Sequence, residues 1–330
     1  MIAPWFEDFE VGDEFNDVPS VTITDGHVAI HQAQFGDRLG LVLDHELARK
    51  VTGHERPLAP SSLVCNIAIG QSTIPSQRVM GNLFYRGLVL RQPVFVGDTL
   101  TTSTKVVALR QNTIKPGRAA SGMVALEIHV RNQHGDTVLL FWRCPMIPCR
   151  DRDAETGWAD SFDFMPADIT EDDLTAAVPA WDLALLAGAR PTVGEAILVE
   201  ARDTVTLAPE LVRLTLNMAM THTDAGRSVY GKRLVYGGHT ISTAAAQLTR
   251  AFPAMASVLA WYHCNHVGPV FEGDILSSRL TLESVIDAGS GDIGVVQVET
   301  LAERGAEAPE PGKDIPVLDW KLAVLMGKES

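Results

Sequence analysis

One eight-residue pattern occurs twice in this chain. Pro93-Val94-Phe95-Val96-Gly97-Asp98-Thr99-Leu100 returns as Pro269-Val270-Phe271-Glu272-Gly273-Asp274-Ile275-Leu276, an offset of 176 residues. An alternating segment follows each copy, Thr101 to Leu109 and Ser277 to Val285, with the period of two expected of a half-buried strand. The agreement continues outward in the same order. Val11-Gly12-Asp13-Glu14 matches Val193-Gly194-Glu195 near the start of each copy, and Phe141-Trp142-Arg143 matches Asp319-Trp320-Lys321 near the end. A repeat that preserves order restricts the chain to two related units in tandem, whatever their detailed fold.

The units divide as residues 1–150 and 192–330, with 151–191 between them. Each reads as an entry strand, a helical segment with a polar start, a mostly apolar helix and then three strands joined by hairpin turns such as Gln133-His134-Gly135-Asp136. The intervening stretch is rich in Asp, Pro and Ala and includes Ile169-Thr170-Glu171-Asp172-Asp173. It reads as a linker wrapped over the surface with one short helix. Arg304 to Asp314 reads as an enlarged hairpin loop. His239 to Phe252 is small and apolar on nearly every side, so it is expected to be buried all round, and Pro60 to Gly70 is its counterpart. The expected class is α+β, with a curled antiparallel sheet wrapped around a central helix in each unit.

Composition narrows the partners. The 330 residues are 46% hydrophobic and 21% charged, enough for two sizeable cores. A formal charge of −14 opposes association with nucleic acid or an anionic membrane. A small anionic ligand remains compatible with that charge if basic residues gather locally, and Arg86, Arg91, Arg110, Lys115, Arg118, Lys232 and Arg233 are available. Cys65, Cys144, Cys149 and Cys264 have neither metal-site spacing nor a disulfide pattern, so reduced thiols and no metal are expected. No basic-then-apolar leader opens the sequence and no long apolar run occurs later, which gives a cytoplasmic expectation.

The segments Phe6-Glu7-Asp8-Phe9-Glu10-Val11-Gly12-Asp13, the twin Pro-Val-Phe-x-Gly-Asp stretches, Arg131-Asn132-Gln133-His134-Gly135 and Arg233-Leu234-Val235-Tyr236-Gly237-Gly238-His239-Thr240-Ile241-Ser242 resemble the MaoC-like dehydratases, and within them the mesaconyl-CoA hydratases, or β-methylmalyl-CoA dehydratases. The resemblance spans nearly the whole chain. It implies a double hotdog fold, no cofactor beyond the CoA carried by the substrate, and reversible addition of water across a conjugated acyl-CoA double bond. The family's hydratase motif reads roughly Ser-Gly-Asp-x-Asn-Pro-Leu-His-x-Asp, and its first Asp and its His orient and activate the water. In the first unit Asp37 keeps the Asp position, but Val42 stands where the His belongs, and valine transfers no proton. In the second, Asn217 takes the Asp position and His222 keeps the His, with Asp224 two residues on. The working half-site is therefore expected around His222.

Hydration of an enoyl thioester needs a base for the water, a proton for C2 and stabilisation of the enolate oxygen. His222 suits the first task, Asn217 can hold the water without titrating, and Asp224 is available for a share of the proton transfer. The enolate oxygen is expected over the N-terminus of the second central helix, with the Gly238 N–H as donor and Gly237 beside it leaving room for close approach. His239, His263 and His266 read as structural or pocket-lining. Two competitors stand beside this reading: a hotdog thioesterase working through Asp37 or Asp224, and a non-catalytic acyl-CoA-binding or partner subunit. Two hotdogs in one chain allow a monomer, and a homodimer is common for such folds.

Overall fold

The computed structural model describes residues 3–166, 168–306 and 310–330. Its first half runs β1 (Val21–Thr22), α1 (Asp25–Phe35), α2 (Gly40–Leu43), α3 (His45–Thr52), α4 (Ser61–Gln71), β2 (Gly81–Leu90), β3 (Thr99–Gln111), β4 (Ser121–Arg131) and β5 (Thr137–Pro148). The segment between the halves carries α5 (Glu171–Ala177). The second half runs β6 (Ala196–Leu198), β7 (Asp203–Thr204), α6 (Ala208–Leu214), α7 (Gly237–Ala251), β8 (Met255–His266), β9 (Ile275–Asp287), β10 (Asp292–Glu303) and β11 (Asp314–Met326).

Four long strands, not three, come after each central helix. The extra ones are β2 and β8, which pair antiparallel with each other at the middle of a single sheet ordered β1-β3-β4-β5-β2-β8-β11-β10-β9-β6. They are the strands hardest to read. Met255-Ala256-Ser257-Val258-Leu259-Ala260-Trp261 is buried without alternation, because one face meets the helices and the other is covered, so it merges with the apolar helix before it. Turn glycines at positive φ mark the corresponding strand entries, Gly97 at 96° and Gly273 at 86°.

The seam is close to twofold symmetric. Phe84 pairs with Asn265 and Val89 with Ala260, and the repeat offset exchanges the two pairs. The central helices meet the same way: Asn66 of α4 donates to the Ser242 hydroxyl of α7 at 2.7 Å, and the two residues are 176 apart. Every residue of α4 is buried, as is α7 from Gly238 to Thr249. At Gly70 an added Cβ would lie 2.0 Å from the Thr215 carbonyl oxygen, so only glycine lets the loop after α6 press against α4.

The end of each unit is in register one residue away from the alignment of Trp142 with Trp320. Arg143 pairs with Tyr85 and Leu322 with Trp261, and Tyr85 and Trp261 are repeat equivalents, so Leu322 rather than Lys321 occupies the place of Arg143. The connection covers the outer face of the middle strands, where Ile169, Leu174, Trp181 and Leu183 pack with Val89, Leu259, Ala323 and Leu325. The 304–314 segment joins β10 to β11 as a hairpin connection, and its residues 307–309 lie outside the described part. All four cysteines are buried and unpaired, and no described helix is long and apolar enough to cross a membrane.

Candidate active site

The two motif loops are built alike and each docks on the other half's helix. After α1, Gly36 turns the chain at φ 60° and the Asp37 carboxylate accepts the Leu39 N–H at 3.0 Å. After α6, Leu216 turns it at φ 57° and the Asn217 Oδ1 accepts the Ala219 N–H at 2.9 Å. The Arg38 N–H donates to Thr249 of α7 at 3.0 Å, and the Met218 N–H donates to Thr73, just past α4, at 2.8 Å. Thr73 and Thr249 are again repeat equivalents. This matched bonding supports the alignment of Asn217 with Asp37, and with it His222 with Val42.

Beyond the turns the two loops diverge. Val42 is buried in the main hydrophobic core, which runs through both halves. His222 ends a single 3-10 turn, Met220–His222, and faces a cavity of about 230 Å³. Asn217, Tyr236, Gly237, Thr240 and His266 share that cavity, as do Thr73, Ser76, Tyr85 and Arg143 from the first half. The site is thus composite, with the motif loop and helix start from one repeat and the opposite wall from the other.

The His222 Nδ1 lies 2.8 Å from the Leu234 carbonyl oxygen. A carbonyl only accepts, so Nδ1 carries the proton and Nε2 keeps its lone pair for the cavity. Enclosure in protein lowers the pKa to about 4, outweighing the opposite pull of the Leu234 carbonyl. The ring is therefore neutral at pH 7, more firmly so than an unperturbed histidine. Asn217 spends its Oδ1 on the loop, which leaves its NH₂ as a donor.

Of the glycines singled out in the sequence, Gly237 lines the cavity. Gly238 approaches α4, where a Cβ would stand 2.1 Å from the Asn66 Oδ1. Both occupy the first turn of α7, whose leading N–H groups have no intrahelical acceptor. Asp224 is not brought to this cavity. It is exposed, accepts the Gly226 N–H at 2.8 Å, and borders the neighbouring cleft that holds Lys232 and Arg233. There Arg233 is paired with Glu272, while the Lys232 ammonium sits 3.6 Å from the centre of the Phe271 ring.

His266 lines the cavity beside His222, in keeping with its pocket-lining reading. It lies on β8 with a buried Nε2 that has no hydrogen-bond partner, packed so closely on Gly237 that a Cβ there would be 2.5 Å away. Burial, reinforced by His222, lowers its pKa to about 4. Its only sequence signal is a position at the end of a strand that the alternation does not reveal. His239 instead bonds the Thr206 carbonyl at 2.8 Å, and His263 bonds Asp319 at 3.1 Å, both outside the cavity.

Asp37 is a fastening. Burial pushes its pKa up, against the Leu39 N–H and the Thr249 hydroxyl that hold its carboxylate. Asp37→Asn keeps the acceptor oxygen, as Asn217 does in the other half, and is expected to leave stability within about 0.5 kcal/mol at pH 7. Asp37→Ala strands the buried Leu39 N–H, while the Thr249 hydroxyl keeps the Ala246 carbonyl at 2.9 Å, and is expected to cost about 1–3 kcal/mol. Urea midpoints for the pair check this, and equal losses would show that the charge itself is needed.

His222 as a neutral imidazole and the Asn217 amide, sharing a cavity with the first turn of a buried central helix, are the kinds of group that a hydro-lyase uses on water. No family model matches the chain. Beta-methylmalyl-CoA dehydratase of Chloroflexus aurantiacus is 32% identical to it, over 98% of this chain and 96% of that protein. Among solved structures, a conserved hypothetical protein of Mycobacterium tuberculosis with a double hotdog fold is 41% identical, covers 98% of each chain and superposes with a TM-score of 0.87. A putative MaoC domain protein dehydratase from Chloroflexus aurantiacus is 29% identical over 99% of this chain and 98% of that one, with a TM-score of 0.79. The chain belongs to the MaoC-like dehydratase family of double-hotdog CoA hydratases and dehydratases.

Proposed function

We propose that this protein adds water reversibly across the 2,3 double bond of a short, branched or dicarboxylic enoyl-CoA of the mesaconyl-CoA kind. The observation that carries the reading is the fixed tautomer of His222, which leaves Nε2 as a base beside the Asn217 amide in one enclosed cavity. In the proposed sequence the Asn217 NH₂ donates to the water oxygen and His222 Nε2 takes a water proton as the oxygen bonds to C3. The π electrons move onto the thioester oxygen, where the first-turn N–H groups of α7, Gly237 and Gly238, stabilise the charge. The imidazolium then returns its proton to C2, so one residue balances both transfers. Lys232, in the adjacent cleft and without a carboxylate partner among the described residues, suits the CoA phosphates.

Crotonyl-, mesaconyl- and itaconyl-CoA offered to the purified protein test this. Hydration removes the enoyl-thioester absorbance without releasing thiol. Release of free CoA at constant enoyl absorbance would identify a thioesterase. Thermal stabilisation by CoA esters without turnover of any of the three would identify a binding subunit.

A further inference from the structure

The opposite wall of the cavity holds a group that hydration does not require. Arg143, on β5, is 2% exposed and lines the same space as His222. Its repeat equivalent, Leu322, is a fully buried core residue, so a permanent cation stands at an inward position filled by a hydrocarbon in the sister unit. No carboxylate among the described residues is within salt-bridge distance of it. Its contacts are neutral: Nη2 donates to the Ser72 carbonyl and the Ser76 hydroxyl, each at 2.7 Å, and Nη1 reaches the Asn82 Oδ1 at a long 3.5 Å. The Nε–H is buried and has no acceptor at all.

A charge withdrawn from water with no counter-charge is costly, and a buried guanidinium is ordinarily paired with an acid. Closing off the end of α4 does not explain it, because a single nitrogen makes both of those bonds. Two separate donors remain for an anion, the Nε–H, which has no acceptor, and the Nη1 group, whose one contact is long. The protein's own acids are absent from this wall, so the complementary anion arrives with the ligand. The thioester end of the substrate is assigned to the α7 side, which leaves the far end of a short acyl chain for this wall.

We propose that Arg143 is the specificity-determining residue of the site, pairing with a carboxylate at the distal end of a four- or five-carbon acyl group, so that the preferred substrates are monothioesters of dicarboxylic acids. This rests on the assignment of the cavity to an acyl-CoA, but not on what happens to that acyl group.

Binding of the unreactive pair succinyl-CoA and butyryl-CoA, measured by titration calorimetry, separates the two claims, since the pair differs chiefly in the terminal carboxylate. The wild-type protein is expected to bind succinyl-CoA about 30-fold more tightly, the scale of a buried charge-assisted contact. Arg143→Gln, which retains a donor for Ser72, is expected to reduce that ratio below about threefold by weakening succinyl-CoA alone, while Arg143→Lys keeps part of it. Equal affinities in the wild-type protein overturn the proposal even if the variants fail to fold, and so does a loss shared equally by both ligands in Arg143→Gln. Hydration of crotonyl-CoA without carboxylate preference would reject the role of Arg143 and leave the hydratase standing. Carboxylate preference with no turnover would do the reverse.

Discussion

Replacing His222 with alanine is expected to reduce kcat for enoyl-CoA hydration roughly a thousandfold while KM stays within a few fold, because the imidazole acts on the water and the C2 proton and not on the bulk of the substrate. The fold should survive, since the ring faces the cavity and makes a single hydrogen bond to the Leu234 carbonyl. The pH dependence is the sharper check. With a pKa near 4 in the free protein, the base form persists well below the usual histidine range. Initial kcat/KM, read within minutes of a pH jump, is expected to stay level from pH 8 through 6.5 and to fall only as the pH nears 4. A break at 6.5 or above, or near-normal turnover by His222→Ala, would remove His222 from the mechanism.

The sequence disclosed the architecture because a repeat is independent of local propensity: Pro93 to Leu100 and Pro269 to Leu276 lie at the same turn before β3 and β9. The motif singled out His222, and its spacing singled out Asn217, whose turn is bonded as the one at Asp37 is. The sequence hid whatever depends on the seam. Over Gly87 to Leu90 of β2 and Met255 to Trp261 of β8 the chain is buried on both faces, so these stretches lack the alternation by which a strand is recognised, and residues on or beside them inherit that silence. Arg143 is the consequence. Two Trp residues invite an alignment of Arg143 with Lys321, and only the strand register shows that the guanidinium points inward where Leu322 does. Asp224 is the opposite case: adjacency in the motif brings it near His222 in sequence, while the 3-10 turn at Ala225–Arg227 uses it as a cap and leaves it outside.

Lowering the pH from 7.5 to 5.0 is expected to remove several kcal/mol of folding stability. Three enclosed histidines set this: burial holds His31 to about 3, His222 to about 4 and His266 to about 4. In the unfolded chain each titrates near ~6.5. Between that value and the folded ones the unfolded state therefore binds more protons. Stability from these groups is complete above 6.5 and is lost as the pH falls toward 4. Three such groups give a limiting slope of about 4 kcal/mol per pH unit, against a typical total stability of about 5–15 kcal/mol. Asp37 opposes the trend, since a raised folded pKa favours the native state in acid, but it is one group against three. Urea midpoints across pH 5.0–7.5 measure the slope, and His31→Leu should lower it by about 1.4 kcal/mol per unit. His31 is the informative choice because its Nδ1 is already unpartnered and its Nε2 bonds to Ser242 and Ser62 are long, at 3.3 and 3.4 Å. Equal stability at pH 5.0 and 7.5 would contradict the burial of these rings as neutral imidazoles. The same enclosure that keeps His222 a free base at neutral pH is then the source of the acid sensitivity, so a dicarboxylic ligand that fills the cavity should shift the unfolding transition to lower pH.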